Sequence, residues 1–400
     1  MIRRIGVLFF GMLAMASHAE EKPDEAYRAF LQSQGEASWI NAGADHSLAN
    51  TANRPIPAKE NFRADPAKQA LGFQLYHDTR LSSNGTVSCS SCHFGMMGGA
   101  DGLRLSPGVG GLLGTRNSPT VFNSAFNFRQ FWDGRAFDLD SQALGPISNP
   151  VEMAHDLKTV VKQLSGIPHY ADQFDAIYPD GVTEANLGNA IAQHARDMTR
   201  DDSRFNQHLS TGAATLSEQE LRGWERFNDV GCASCHNGIN LGGNSYQKLS
   251  NTGPLTNTTM TASLDAGLFD RTGRETDRQV FKVPSLNNVG LTAPYFHDDS
   301  VPTLDDAVRQ MGQLQNGRTL SDYDVEDIAS FLTSLNSDYL EGMSSSMGKL
   351  GMRGTMKGGM RGAMHQKMHQ MHHGQQQGHQ MNNDQQHSDN PDPANKMRRR

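Results

Sequence analysis

The sequence predicts a mainly α-helical fold built from two related units with long loops, followed by a tail that cannot form a core. The pattern Cys-x-x-Cys-His occurs twice, starting at Cys89 and at Cys232, 143 residues apart. A helix-start signal precedes each copy, and strand signals are sparse. Residues 343–400 contain no aromatic residue, and their polar composition predicts that they stay unfolded.

Three helix starts can be predicted from capping patterns. Asp65-Pro66 supplies an N-cap and a proline at the first helical position, while Ser217-x-x-Glu220 and Ser321-x-x-Asp324 are capping boxes. Apolar residues at helical spacing follow each start. In chain order they are Leu71, Gly72, Leu75 and Tyr76; Leu221, Gly223, Trp224 and Phe227; and Val325, Ile328, Phe331, Leu332 and Leu335.

The N-terminus has the three-part layout of an export signal. Arg3 and Arg4 precede an apolar run over residues 5–16, and Ser17 and Ala19 place small side chains at a cleavage site. We therefore expect a signal peptide over the first 19 residues and a periplasmic protein; a buried N-terminal helix is the alternative. The run is too short to span a bilayer, and no later stretch is long and apolar enough to do so.

All four cysteines of the chain belong to the two repeated motifs. Four cysteines in an exported protein would first suggest a disulfide scaffold. A two-residue gap followed at once by His is instead the attachment signature of c-type haem, in which each thiol adds to a vinyl group and the His ligates the iron. The sequence therefore predicts two covalent haem c groups. Their attachment sites are Cys89, Cys92 and His93 for the first, and Cys232, Cys235 and His236 for the second.

These signals together define the predicted organisation. The fold class is mainly α, with two cytochrome c-like haem domains and long loops. The first domain is predicted over 61–205 and the second over 206–342, with an N-terminal arm over 20–60 and a disordered Met/His-rich tail over 343–400. Residues 20–342 carry 25 Lys and Arg against 40 Asp and Glu, and this acidic body argues against nucleic-acid binding.

The tail has an unusual set of potential metal ligands. It holds 10 of the 19 methionines and 6 of the 16 histidines. Thioether and imidazole groups suit copper, so a low-affinity copper-collecting tail is the favoured interpretation. An oxidant-scavenging or merely low-complexity extension is the alternative. The residues concerned are Met343, Met347, Met352, Met356, Met360, Met364, Met368, His365, His369, His372, His373, His379 and His387.

The order and spacing of several further segments resemble the bacterial di-haem cytochrome c peroxidase and MauG superfamily over about residues 65–340. A single haem motif would not specify this family. The segments are Cys89-Ser-Ser-Cys-His93 with Gly98, Gly99 and Asp101; Thr115-Arg-Asn-Ser-Pro-Thr120; Phe131-Trp-Asp-Gly-Arg135; Gln142; Gly145-Pro146; Val151-Glu-Met153; Cys232-Ala-Ser-Cys-His236; Phe281-Lys-Val-Pro-Ser-Leu286; Pro294-Tyr-Phe-His-Asp298; and Met311-Gly312.

The resemblance implies different roles for the two haems. The first would react with peroxide and the second would receive electrons. Met311, fourteen residues after His297, lies where the family places the second axial ligand of the electron-receiving haem. A methionine that only fills the core beside Val308 is the alternative. MauG-type members carry a tyrosine there, so Met311 favours the peroxidase branch.

The first haem site departs from the family pattern. Many members carry a distal His sixteen residues after the proximal one, in a Ser-x-Gly-His segment. This chain has Ser106-Pro-Gly-Val109, and the Val109 side chain cannot bind iron. We therefore expect a site that is open in the oxidised enzyme and needs no reductive activation. His155 is the nearest spare imidazole in sequence, for which a surface or core role is favoured.

The resemblance also assigns catalytic residues. Glu152 aligns with the acid that shuttles a proton during peroxide cleavage, and Gln142 with a distal hydrogen-bonding residue. Pro146 aligns with a residue of the pocket wall. Trp132 aligns with the tryptophan that relays electrons between the haems, a role compatible with core packing. Outside this motif, a lone glutamate would be interpreted as a solvated surface residue.

A calcium site is implied as well. Asn117 and the carbonyl groups of Thr292 and Pro294 match the family's site between domains, and oxygen ligands of this type suit Ca²⁺.

Three functions are consistent with these residues. The first is reduction of hydrogen peroxide with electrons from a small cytochrome c or a cupredoxin. The second is MauG-like oxidation of Trp or Tyr residues on a partner protein connected with copper. The third is a di-haem electron carrier, against which the open site beside Glu152 argues. The sequence leaves the oligomeric state open, with a homodimer as one candidate.

Overall fold

A computed structural model describes residues 55–57, 65–252 and 265–349 of the chain. The predicted signal peptide at 1–19, most of the arm over 20–60 and the tail beyond residue 349 lie outside the described residues. Within the arm, the Ile56 side chain is buried, and its amide donates a hydrogen bond of 2.6 Å to Asn206 Oδ1.

The first half of the structure opens with the predicted helix. This helix, α1 (Pro66–His77), begins after Asp65, whose carboxylate accepts hydrogen bonds from the amides of Ala67 and Lys68. All four residues predicted for its apolar face are buried. The remaining helices of this half are α2 (Cys89–Cys92), α3 (Leu139–Ser148), α4 (Leu157–Ser165), α5 (Pro168–Ile177) and α6 (Glu184–Asp197).

The second half begins near residue 204 and contains both predicted capping boxes. They open α8 (Glu218–Val230) and α11 (Asp322–Thr333), and in each the two side chains and backbone amides pair as predicted. Leu221 differs from the prediction, because its side chain is 37% exposed on the outer face of α8. The other helices are α7 (Arg204–Thr211), α9 (Phe269–Thr272), α10 (Leu304–Asn316) and α12 (Asp338–Lys349).

In each half, the helix before the repeated motif makes a close crossing at a glycine. In the first half, a Cβ added at Gly72 of α1 would lie 1.9 Å from the Ala190 carbonyl oxygen of α6. In the second, a Cβ added at Gly223 of α8 would lie 1.9 Å from the Asp327 carbonyl oxygen of α11. The two halves therefore repeat one arrangement, in which the helix before the motif crosses a later helix with backbone contact.

Two hydrophobic clusters form the cores of the halves. The first gathers buried side chains from α1 and α3–α6, and the second gathers them from α7, α8, α10 and α11. Leu340 of α12 belongs to the first cluster, so the chain returns to the first half at its end. The boundary between the domains at 205 and 206 remains a prediction.

The remaining structure is loop, as predicted. Residues 93–138 join α2 to α3 through short 3-10 turns. Two short strands, β1 (Tyr246–Lys248) and β2 (Val280–Lys282), pair antiparallel with Tyr246 opposite Lys282. The prediction of a mainly α fold with long loops is confirmed. Among the residues described, no helix has the length and apolar character needed to cross a membrane.

Helix α12 overlaps the predicted start of the tail at residue 343, a boundary that stays a prediction. Helix α12 continues through that position to Lys349. Acidic residues in its first turn, Asp338 and Glu341, favour the helix start, and Leu340 anchors it in the first core. The sequence from 343 is too polar to form a core, but it extends a helix that is already anchored.

Candidate active site

One cavity of about 780 Å³ joins the two repeated motifs. Every residue for which the sequence predicted a catalytic, haem-binding or calcium-binding role lies in its wall. They are Cys89, Cys92, His93, Asn117, Trp132, Gln142, Glu152, Cys232, Cys235, His236, Thr292, Pro294 and Met311. The structure thus brings the predicted residues together, while their individual roles remain predictions.

His93 is held in the orientation of a metal ligand. It follows α2, and its amide donates a hydrogen bond of 3.0 Å to the Cys89 carbonyl. Its Nδ1 donates to the Gly99 carbonyl at 3.2 Å, and burial lowers the pKa of the imidazole. A neutral ring that donates from Nδ1 leaves Nε2 as a free lone pair, which is the usual arrangement for a ligating His.

The second motif repeats this geometry on a different local structure. Its cysteines lie on a 3-10 turn (Cys232–Ser234) and on the residue after it. The His236 amide donates to the Cys232 carbonyl at 3.0 Å, and Nδ1 donates to the Leu241 carbonyl at 3.1 Å. Burial again lowers the pKa of the ring.

The cysteine environments fit attachment rather than reactivity. All four cysteines are free, and burial raises the pKa of Cys89 and Cys92 to about 12 and of Cys232 to about 11. A nucleophilic or redox-active thiol needs a lowered pKa, whereas the pKa values of Cys89, Cys92 and Cys232 are raised. Two thiols beside one neutral imidazole at a large cavity are the donor set of c-type haem, so the residues present fit that group at both motifs.

Glu152 lies in the cavity wall beyond the end of α3. Asn149 Nδ2 donates to Glu152 Oε1 at 2.6 Å. Burial raises the pKa of the Glu152 carboxyl, and the positive charge of Arg135 and the Asn149 hydrogen bond partly oppose this. A carboxyl of this kind holds its proton closer to neutral pH than a surface glutamate does, which suits acid-base work.

The loop that carries Val109 is packed against this glutamate. The Val109 amide donates to the Glu152 carbonyl at 2.7 Å. At Gly108 a Cβ would lie 2.2 Å from the Val151 carbonyl oxygen, so only glycine permits this approach. The Val109 side chain packs on the first hydrophobic cluster. His155 does not line the cavity; its amide donates to the Ile147 carbonyl.

Trp132 connects the two halves. Its Nε1 donates to the Asn117 carbonyl at 3.1 Å, and its own carbonyl accepts the Lys282 amide at 2.8 Å. The indole and Met311 pack on the same small hydrophobic cluster, which includes Phe281. The tryptophan is therefore fixed at the junction of segments from both halves.

The sequence did not indicate Asp299, which lies beside the predicted calcium ligands. Asn117 Nδ2 donates to Asp299 Oδ1, and Asp299 Oδ2 is buried with no hydrogen-bond partner among the described residues. Burial raises the pKa of this carboxyl to about 8. A bound cation would satisfy the unpaired oxygen, so the site fits Ca²⁺. The adjacent pair Asp298-Asp299 is the signal that could have pointed to it.

Comparisons with known proteins agree with this geometry. Residues 66–214 match the family described as di-haem cytochrome c peroxidase. Cytochrome c peroxidase Ccp of Escherichia coli is 45% identical over 72% of this chain, which spans only 62% of that relative's length. Cytochrome c551 peroxidase of Nitrosomonas europaea is 42% identical, with 74% of this chain and 87% of the relative covered.

Among solved structures, a MauG-like protein associated with microbial copper homeostasis is similar in fold. The TM-score is 0.62 at 27% identity, with 73% of this chain and 95% of that chain covered.

Proposed function

The chain belongs to the di-haem cytochrome c peroxidase family, and we propose that it reduces hydrogen peroxide to water at the His93 site. The family and enzyme class predicted from the sequence are confirmed, and the family implies two haem c groups. In the proposal, a small cytochrome c or cupredoxin delivers electrons at the second site, and Trp132 relays them to the first.

The chain's own residues would hold both cofactors. His93 would ligate the first haem, and His236 and Met311 would ligate the second. When bound, the haems would supply irons that exchange single electrons, one with peroxide at the His93 site and the other with the electron donor. The Gly99 and Leu241 carbonyls orient the two imidazoles by accepting from Nδ1.

The proposal depends most on the buried carboxyl of Glu152 in the cavity wall. Asn149 holds one carboxylate oxygen, and the other, which accepts no hydrogen bond among the described residues, would face peroxide. Glu152 then accepts the proton of one peroxide oxygen and returns it to the other, which leaves as water. Two electrons and two protons convert each peroxide into two waters. Gln142, from α3, lies in the same wall and would donate a hydrogen bond to peroxide.

The open first site gives a direct test. With Val109 packed on the core, the fully oxidised protein should react with peroxide without prior reduction. We expect one high-spin and one low-spin haem in its spectrum, and an immediate spectral change on addition of one equivalent of peroxide. Two low-spin haems, or an unchanged spectrum after peroxide, would contradict the proposal.

A MauG-like oxidation of Trp or Tyr residues on a partner protein is the second candidate. The loss of a distal His at Val109 favours it, as does similarity to a MauG-like protein that is associated with copper homeostasis. Steady peroxide turnover with a reduced cytochrome c separates the two, because an enzyme that modifies proteins should turn over poorly with that donor. An electron carrier would show neither reaction.

Export and copper binding extend the proposal to segments outside the described residues. A mature N-terminus at Glu20, found by mass spectrometry of the exported protein, would support periplasmic targeting. Copper titration of the full chain and of a chain ending at residue 349 would test the tail. Equal copper binding by the two would exclude that role.

A further inference from the structure

Lys282 is a buried cation with no counter-ion among the residues that the structure describes. The residue lines the cavity and is only 8% exposed. Among the described residues, no ion pair or side-chain hydrogen bond involves its Nζ. Burial alone lowers the pKa of this amine to about 8. An unpaired buried charge is strongly unfavourable. An anionic group bound in the cavity would therefore stabilise the charged form of Lys282.

Two carboxylates of the surrounding segments, those of Asp133 and Asp265, pair with arginines. Asp133, next to Trp132 in sequence, pairs with Arg116 at 2.8 Å and with Arg135 at 3.1 Å. Asp265 pairs with Arg116 at 2.7 Å. Within the part of the chain that the structure describes, Lys282 therefore has no carboxylate partner.

The backbone around Lys282 fixes its position between Trp132 and the second motif. Its amide donates to the Trp132 carbonyl at 2.8 Å, and it pairs with Tyr246 in the β1–β2 ladder. Two residues later, the Pro284 backbone carbonyl interacts with the His236 ring. Lys282 thus lies in the cavity wall between Trp132 and the segment that contacts His236.

We propose that Lys282 Nζ forms an ion pair with a propionate carboxylate of the haem attached at Cys232 and Cys235, and thereby raises the reduction potential of that haem. The proposal rests on haem attachment at the second motif. Each haem carries two propionates, and an unpaired buried carboxylate would favour the oxidised, more positive iron. Neutralising that carboxylate favours the reduced iron, since hydrogen bonding and burial around a haem tune its potential.

Spectroelectrochemical titration of the purified di-haem protein tests this pair without peroxide. Lys282→Met should lower the reduction equilibrium constant of one haem at least tenfold, which corresponds to about 59 mV for one electron. Lys282→Arg keeps the charge and should remain within threefold of the unsubstituted protein. Lys158→Met removes an exposed lysine of α4 that does not line the cavity, and should leave both potentials unchanged.

The pH dependence of the potential provides a second readout. With Lys282 replaced by Met, the unpaired buried propionate should titrate near neutral pH, so the potential of that haem becomes pH-dependent there. If the Met variant does not fold, Lys282→Gln, which has a polar but uncharged side chain, replaces it in both measurements. A full haem content with potentials and pH dependence unchanged in the uncharged variant would overturn the proposal. Peroxide turnover of the unsubstituted protein is measured separately, so failure of the ion pair leaves the proposed function standing.

Discussion

At the scale of single residues, the proposed chemistry depends on Glu152. Glu152→Gln preserves the shape and the Asn149 contact but cannot carry a proton. We expect kcat to fall by about 10²–10⁴-fold, the usual contribution of a general acid-base group, with the haem spectrum unchanged. Stopped-flow measurement of peroxide consumption checks this. Glu225→Gln, at an exposed position of α8, is the matched control.

The pH profile of the same enzyme gives an independent check of Glu152. The carboxylate must be ionised to accept the peroxide proton. Because burial raises its pKa, kcat/KM should begin to fall at a pH above the ordinary carboxyl value of about 4.3 as the medium is acidified. Glu152→Gln should lose this limb. A limb that persists in the variant would assign the titration to another group.

Residues that could be predicted from sequence are those with a local signature. The haem attachment residues follow from five consecutive positions, and Glu152 follows only from its place within a family motif. Asp299 meets Asn117 across 182 residues, and the buried, unpaired state of Lys282 depends on how β2 packs against Trp132. Such partners are set by the folded chain, so no local pattern identifies them.

At the scale of helices, the close crossings at Gly72 and Gly223 explain why a glycine occurs on each buried helix face. Gly223→Ala would place a methyl group against the Asp327 carbonyl, and both helix backbones would have to separate. We expect a loss of about 1–3 kcal/mol, as for other overpacked sites, seen as a lower Tm in thermal unfolding. Gly342→Ala on α12 meets no atom within 4 Å and should be neutral or slightly stabilising. Equal Tm values for the two variants would show that the crossing can relax.

The helices whose starts could be predicted from the sequence are those that begin with an N-capping side chain. α1, α8 and α11 begin where Asp65, Ser217 and Ser321 predict, because a side chain that accepts from the first-turn amides acts locally. The end of α12 was not predictable, because Leu340 anchors it in a core formed by residues far earlier in the chain. The conformations of the long loops could not be predicted either, because hydrogen bonds to segments far away in the sequence hold them.

At the scale of the whole molecule, one cavity and one tryptophan join the two halves. Trp132→Phe keeps an aromatic ring in the cluster with Met311 but removes the Nε1 hydrogen bond to the Asn117 carbonyl. We expect peroxide to react with the oxidised protein as before, while steady turnover with a reduced cytochrome c slows at least tenfold. Trp224→Phe is the matched control, because Trp224 lies outside the cavity wall. Equal slowing in both variants would argue against a relay through Trp132.

A cation held by Asn117 and Asp299 would also act across the whole molecule, because these two residues belong to segments far apart in sequence. A cation bound only by the folded protein stabilises it by about 2.7 kcal/mol at a concentration 100-fold above Kd. Chelation of Ca²⁺ should therefore lower Tm, and added Ca²⁺ should restore it. Asp299→Asn should weaken this restoration, because a neutral amide binds Ca²⁺ less strongly than a carboxylate does. In the unsubstituted protein, Asp299 Oδ2 has no hydrogen-bond partner among the described residues and would be the oxygen that binds the cation. Asp172→Asn, at an exposed position of α5, should respond to Ca²⁺ as the unsubstituted protein does. If Asp299→Asn retains the full calcium response, Asp299 is not a ligand; if no variant responds, the site does not bind calcium.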